Sequence, residues 1–247
     1  MAHGARRIFT HPAVFWGSLC LACLFIFVGH WLLHGAAYDP VHGRSFHPLT
    51  FYVSDYAGKW PEGLWIKAGI LGFCVCLAWF GRVALEHHAR GPWVFWATLY
   101  WLGVTAVMIT GLLLVVVFDL LPPHYETGHR FRILQYLLGS PEPQLVGLTP
   151  EQWSMRWYHN LGFRLFILGF VAAASMFLVL DFKRQDWRAA ARGIVLMTGV
   201  CFFGWWLWSG SPVRGVPQRA VLLLVAIWLV GSVRTLSVIR TPDHQLL

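Results

Sequence analysis

Apolar residues in this chain fall neither in strict alternation nor in the one-sided spacing of a helix half exposed to water. They come in long, nearly unbroken runs. Six runs are long enough to cross a bilayer or nearly so, at about residues 14–33, 64–80, 93–118, 161–180, 194–208 and 220–238. A helix of roughly 20 apolar residues matches the hydrocarbon layer of a membrane. Lipid offers no partners to backbone N–H and C=O groups, so a spanning segment must be a helix or belong to a closed barrel, and the alternation of barrel strands is missing. The pattern predicts an all-α fold: a polytopic transmembrane helix bundle of six spans, forming one domain over residues 1–247. The fifth run is the weakest, being short and interrupted by Gly199 and Gly204; tilt or local thinning of the bilayer would accommodate it.

The polar connections set the orientation. Ten Lys and Arg residues flank the runs on one side, among them Arg6, Arg7, Lys183, Arg184, Arg188 and Arg192, within about 45 positions. The other nine are spread over about twice that length. Basic residues stay in the cytoplasm, which predicts both termini inside. Two connections on the outer side are long, at about residues 35–63 and 119–160. Loops of this length carry function or structure of their own. The second holds Thr149-Pro150-Glu151-Gln152, an N-cap threonine followed by proline at the first helical position. A helix is expected to start there, outside the membrane, and to run into the fourth span.

Composition sharpens the picture. Of 247 residues 57% are hydrophobic and only 12% charged, about half the charged fraction of a soluble domain, and mean hydropathy is +0.57. Several of the 15 Trp residues (Trp31, Trp65, Trp93, Trp187, Trp208) sit at the ends of runs, where an indole buries its ring and keeps its N–H wet. The net charge of +8 has no soluble domain to occupy, so it reads as topology and not as a nucleic-acid surface. Cys20, Cys23, Cys74, Cys76 and Cys201 all lie inside apolar runs, which argues against a disulfide framework; the Cys20/Cys23 pair reads as packing before redox or metal chemistry. Arg6, Arg7 and the small residues Gly35-Ala36-Ala37 resemble a secretory signal, but the intervening run is too long, and an anchor is expected.

Candidate chemistry gathers at the outer end. Seven of the twelve His residues belong there, including His30, His34, His129 and His159. Lys67 and Arg164 lie a few residues inside their spans, and Asp119 closes the third. At 100° per residue, Gln152, Arg156, His159, Asn160 and Arg164 share one sector of about 140° on the fourth helix, a stripe that would face a water-filled vestibule. Charges at such depth mark functional candidates unless they snorkel to the interface or pair, as Asp119 would with Lys67 or Arg164. Arg156, Arg164 and Lys67 suit an anionic headgroup. His30 and His34 have ligand-competent spacing for a metal but lack the glutamate of a zinc protease motif. For haem b only His30 and His159 lie at matching depth, and two stacked haems are excluded. His87 and His88 read as solvated loop residues.

Three segments carry a family resemblance. They are His47-Pro-Leu-Thr-Phe-Tyr-Val-Ser-Asp-Tyr-Ala57 with Gly63-Leu-Trp65, the stretch from Gly111 to Pro122 with Tyr158-His159-Asn160, and Gly215-Val-Pro-Gln-Arg219 with Ile227-Trp228. Together they resemble the bacterial six-helix membrane proteins catalogued as domain of unknown function 998. The third-to-fourth connection is longer here. The resemblance implies the six-helix fold and no activity.

No nucleophile–base set, phosphate loop or cofactor fingerprint stands out, and no cofactor is expected. The leading expectation is an accessory or scaffolding subunit of a larger complex in the cytoplasmic membrane, contacting lipids or pigments, with other integral membrane subunits as partners. Gly69, Gly72, Gly103, Gly111 and Gly169 would allow close helix approach. The alternatives are an outer-leaflet enzyme or transporter acting on a lipid headgroup, with His159 as acid/base and Arg156 and Arg164 as an anion clamp, and a subunit binding haem b or a metal.

Overall fold

The computed structural model describes residues 12–33, 38–39, 44–45, 63–88, 93–118, 150–208 and 215–238. Among them are six long helices: α1 (Pro12–Leu33), α2 (Gly63–His88), α3 (Val94–Val117), α4 (Pro150–Lys183), α5 (Trp187–Trp208) and α6 (Gly215–Val238). All six are long and apolar enough to cross a membrane. A two-residue antiparallel ladder, β1 (Tyr38–Asp39) with β2 (Arg44–Ser45), sits in the α1–α2 connection and is the one addition to the all-helical expectation among the described residues.

Helix α4 begins at Pro150, as its proline and capping pattern predict, and continues without a break to Lys183. Its 34 residues make it about 51 Å long, so it must extend beyond a hydrocarbon layer of about 30 Å. Three other helices exceed their apolar runs, α6 by starting at Gly215. Helix α2 runs on past residue 80 to His88, because Val83 and Ala84 are buried although Arg82 and Glu86 interrupt the apolar sequence. Arg82 and Glu86 pair one turn apart at 3.0 Å on the surface. The same extension makes His87 a helix residue, whose Nε2 lies 2.8 Å from a guanidinium nitrogen of Arg184 and accepts from it. Helix α5 starts at Trp187, well before residue 194, because Asp186 caps it: its Oδ1 accepts the Ala189 N–H at 3.0 Å.

Successive helices pack in chain order, and α6 returns to touch α2. At the centre one ring from each of four helices meets the others. Phe80 of α2 packs edge-on against Trp101 of α3 at 6.0 Å and stacks on Phe177 of α4 at 5.7 Å. Trp228 of α6 closes the group against Phe80 and Phe177 at 5.3 and 5.4 Å. Each such pair adds about 0.5–1.5 kcal/mol beyond its buried area.

Lipid tails are as apolar as the side chains, so close backbone approach, and not escape from water, must hold the helices together. The α3–α4 crossing shows how. A Cβ built on Gly111 would lie 2.5 Å from the Gly162 carbonyl oxygen, and one on Gly162 equally near that of Gly111. On α2, a Cβ at Gly69 would lie 2.8 Å from the Ala22 carbonyl oxygen of α1. Gly72 and Gly169 also face neighbouring helices, whereas Gly103 has no atom within 4 Å of its would-be Cβ and takes no part in the packing of the bundle. The outward surface is apolar: Leu24, Phe27 and Trp31 on α1, Phe95, Trp96 and Leu102 on α3, and Phe202 and Trp205 on α5 are all exposed.

Candidate functional site

Antiparallel packing brings the end of α3 beside the start of the apolar part of α4, where His159 lies. This histidine is 2% exposed. Its Nδ1 is 2.7 Å from the carbonyl oxygen of Phe118, and since a carbonyl only accepts, Nδ1 carries the proton and donates. Phe118 is where α3 stops: its backbone is extended (φ −100°, ψ 101°), and its carbonyl is one that the helix cannot satisfy from within. Tyr158 stacks on the Phe118 ring at 4.8 Å. His159 thus caps α3 from a neighbouring helix, at the end where a partial positive charge is most welcome.

The burial pattern explains why. The buried face of α4 runs through His159, Gly162, Phe166, Phe170, Ala173, Phe177 and Asp181, spaced by three or four residues. The polar sector that the sequence directs toward a vestibule is the same face continued, and at His159 it packs on protein. Arg164 and Lys67 are both half-buried, the Nε of Arg164 is shut off from solvent, and neither residue stands isolated. Arg156 and His30 lie in α4 and α1, with side chains outside the described residues; Asp119, His34 and His129 lie outside them altogether.

Among the described residues no three His, Cys, Asp or Glu side chains converge closely enough to hold a metal. All five cysteines are free; Cys20, Cys23 and Cys201 face outward, and Cys74 and Cys76 are buried. The Cys76 thiol lies 3.7 Å from the Phe15 carbonyl oxygen and ties α2 to α1.

The opposite, basic end holds what the sequence did not single out. Asp181, near the end of α4, is 6% exposed and lines a small cavity with Arg192 of α5 and Ser232 of α6. Its position beside Lys183 and Arg184 reads as a connection. A signal was nonetheless present: 22 residues separate it from His159, which at 100° each returns it to within about 40° of the same face.

No protein-family model matches this chain, and neither the curated proteins nor the solved structures contain a match to it.

Proposed function

We propose that the chain is a non-catalytic accessory subunit of a larger assembly, with its outward α3 face seated against another membrane-embedded subunit. The observation that carries this is Gly103. Most described glycines admit a neighbouring helix, but Gly17 and Gly103 open onto empty space, Gly103 in the middle of an exposed stripe that also holds Leu99, Leu102, Ala106 and Thr110. Glycine costs a helix about 1 kcal/mol against alanine, and small residues three, four or seven apart are what lets a second helix come close. Trp93, Phe95 and Trp96 continue the stripe to the basic end. At the other end, His159 is withdrawn into the α3 cap, which supports a structural role for it over acid/base work on a headgroup. The cytoplasmic membrane is the proposed location, on the distribution of Lys and Arg. Membership of the six-helix family is proposed likewise, on the motifs it shares.

Replacing Gly103 by phenylalanine tests the reading. In mild detergent the wild-type chain is expected to migrate with a complex larger than itself. Gly103→Phe is expected to fold and run free. A wild-type chain recovered only as a monomer contradicts the proposal, as does a Gly103→Phe variant that stays in the complex.

A further inference from the structure

The cavity at the basic end is lined by three helices. Asp181 comes from α4, Arg192 from α5, and Trp228, Ser232 and Thr235 from α6. It opens to the outside, and its inner part, about 20 Å³, has room for one group the size of a water molecule. The polar groups around it are unevenly used. The Thr235 hydroxyl donates to the Gly231 carbonyl at 3.1 Å. Arg192 is exposed and lays its guanidinium over Gly231, 3.9 Å from where a Cβ would stand. Asp181 is more than nine-tenths buried, yet among the described residues its carboxylate makes no hydrogen bond and no ion pair, although Arg184 and Arg192 are both within electrostatic reach. The Asp181 oxygens are not among the side-chain atoms shut off from solvent without a partner, so the carboxylate is open to the cavity. Here it faces a cavity whose mouth carries the opposite charge.

Depth says what can reach it. Asp181 precedes the end of α4 by two residues, and Arg192 follows the start of α5 by five, which places them about 3 and 7 Å from the turn. Phe182 and Trp187 are exposed beside that turn with rings 5.7 Å apart, the amphipathic pair expected where headgroups begin. Arg188 is exposed one turn before Arg192, on the same side of α5. The site therefore offers, at headgroup level, one acceptor recessed in a small open cavity, with the Arg192 guanidinium at its wall and that of Arg188 beyond.

We propose that this cavity binds the headgroup of a phosphoethanolamine lipid, with the primary ammonium in the cavity against Asp181 and the phosphodiester on Arg192 and Arg188. Charge and hydrogen-bond donors select this class. A quaternary choline has no N–H to give the carboxylate. A glycerol headgroup brings the phosphate but no cation for Asp181. The inference stands apart from the accessory role, since it concerns the opposite end of the bundle and a different helix group.

The test is retention of lipid by the full chain. Delipidated protein is offered nanodiscs of equal parts phosphatidylethanolamine, phosphatidylcholine and phosphatidylglycerol, then released into detergent and read by native mass spectrometry. Phosphatidylethanolamine is expected to be retained on the order of tenfold over each competitor; Asp181→Asn is expected to abolish the preference, and Arg192→Gln to lower the retention of all three lipids, which share the phosphodiester it would hold. Phosphatidylcholine held equally well, or phosphatidylglycerol held better, overturns the proposal. So does a preference that survives Asp181→Asn, or an Arg192→Gln variant that retains lipid as well as the wild type. If Asp181→Asn does not fold, the wild-type ranking and Arg192→Gln decide the matter by themselves.

Discussion

At Gln185 the backbone turns left-handed, with φ 58°, between the end of α4 and the cap of α5. The Asp186 N–H reaches back to the Asp181 carbonyl and the Gln185 N–H to that of Phe182, the paired bonds of a Schellman ending. Glycine takes that conformation without the Cβ strain that glutamine bears. Gln185→Gly is therefore expected to raise stability by about 0.5–1 kcal/mol, seen as a higher unfolding temperature in detergent. His159 makes the opposite case. His159→Ala leaves the Phe118 carbonyl buried and unpaired and is expected to cost about 1–3 kcal/mol. His159→Asn puts an N–H near the position of Nδ1 and is expected to recover part of that loss. Equal losses in thermal unfolding for the two variants would mean that the cap is not what His159 contributes.

Between helices, the reciprocal contact of Gly111 and Gly162 sets the spacing of α3 and α4. Gly111→Ala is expected to destabilise the bundle by about 1–3 kcal/mol, because the new Cβ meets a backbone carbonyl that cannot move aside. Gly103→Ala, with nothing within 4 Å, is expected to leave the isolated chain as stable as before or up to about 1 kcal/mol more stable. The pair of variants, compared by thermal unfolding, separates glycines that hold this bundle together from one that faces outward. The element boundaries also show what a sequence can disclose. The start of α4 was legible because Thr149-Pro150 and Gln152 form a local signal that needs no tertiary partner. The starts and stops set by tertiary structure were not. Arg188-Ala-Ala-Ala-Arg192 lacks the apolarity of a span, and only the Asp186 cap shows that α5 begins before it. Arg82 and Glu86 end an apolar run, but burial of Val83 and Ala84 carries α2 onward. At the candidate sites the residue types were legible and their surroundings were not. His159 looks the same facing water or capping α3, and Asp181 looks like a loop residue until α4 is known to pass through it.

Taken whole, the molecule turns a conventional protein inside out at its surface. Large apolar side chains such as Phe95 (68% exposed) and Trp205 (63%) face outward, while His159 and Asp181 are buried at opposite ends of one face of α4. Apolar groups so exposed are favourable only against lipid or another protein. An even number of crossings returns the chain to the side from which it set out, so the start of α1, the end of α2, the α4–α5 turn and the end of α6 share one face. The most direct measurement is accessibility of single cysteines, introduced into a cysteine-free background in intact cells, to a membrane-impermeant maleimide. A cysteine at Asp55, in the first long connection, is expected to label from outside. Cysteines at Arg6 and Gln185 are expected to label only after the membrane is permeabilised. Equal labelling of Asp55 and Gln185 positions in intact cells, or release of the chain from vesicles by alkaline washing, would contradict the six-span bundle.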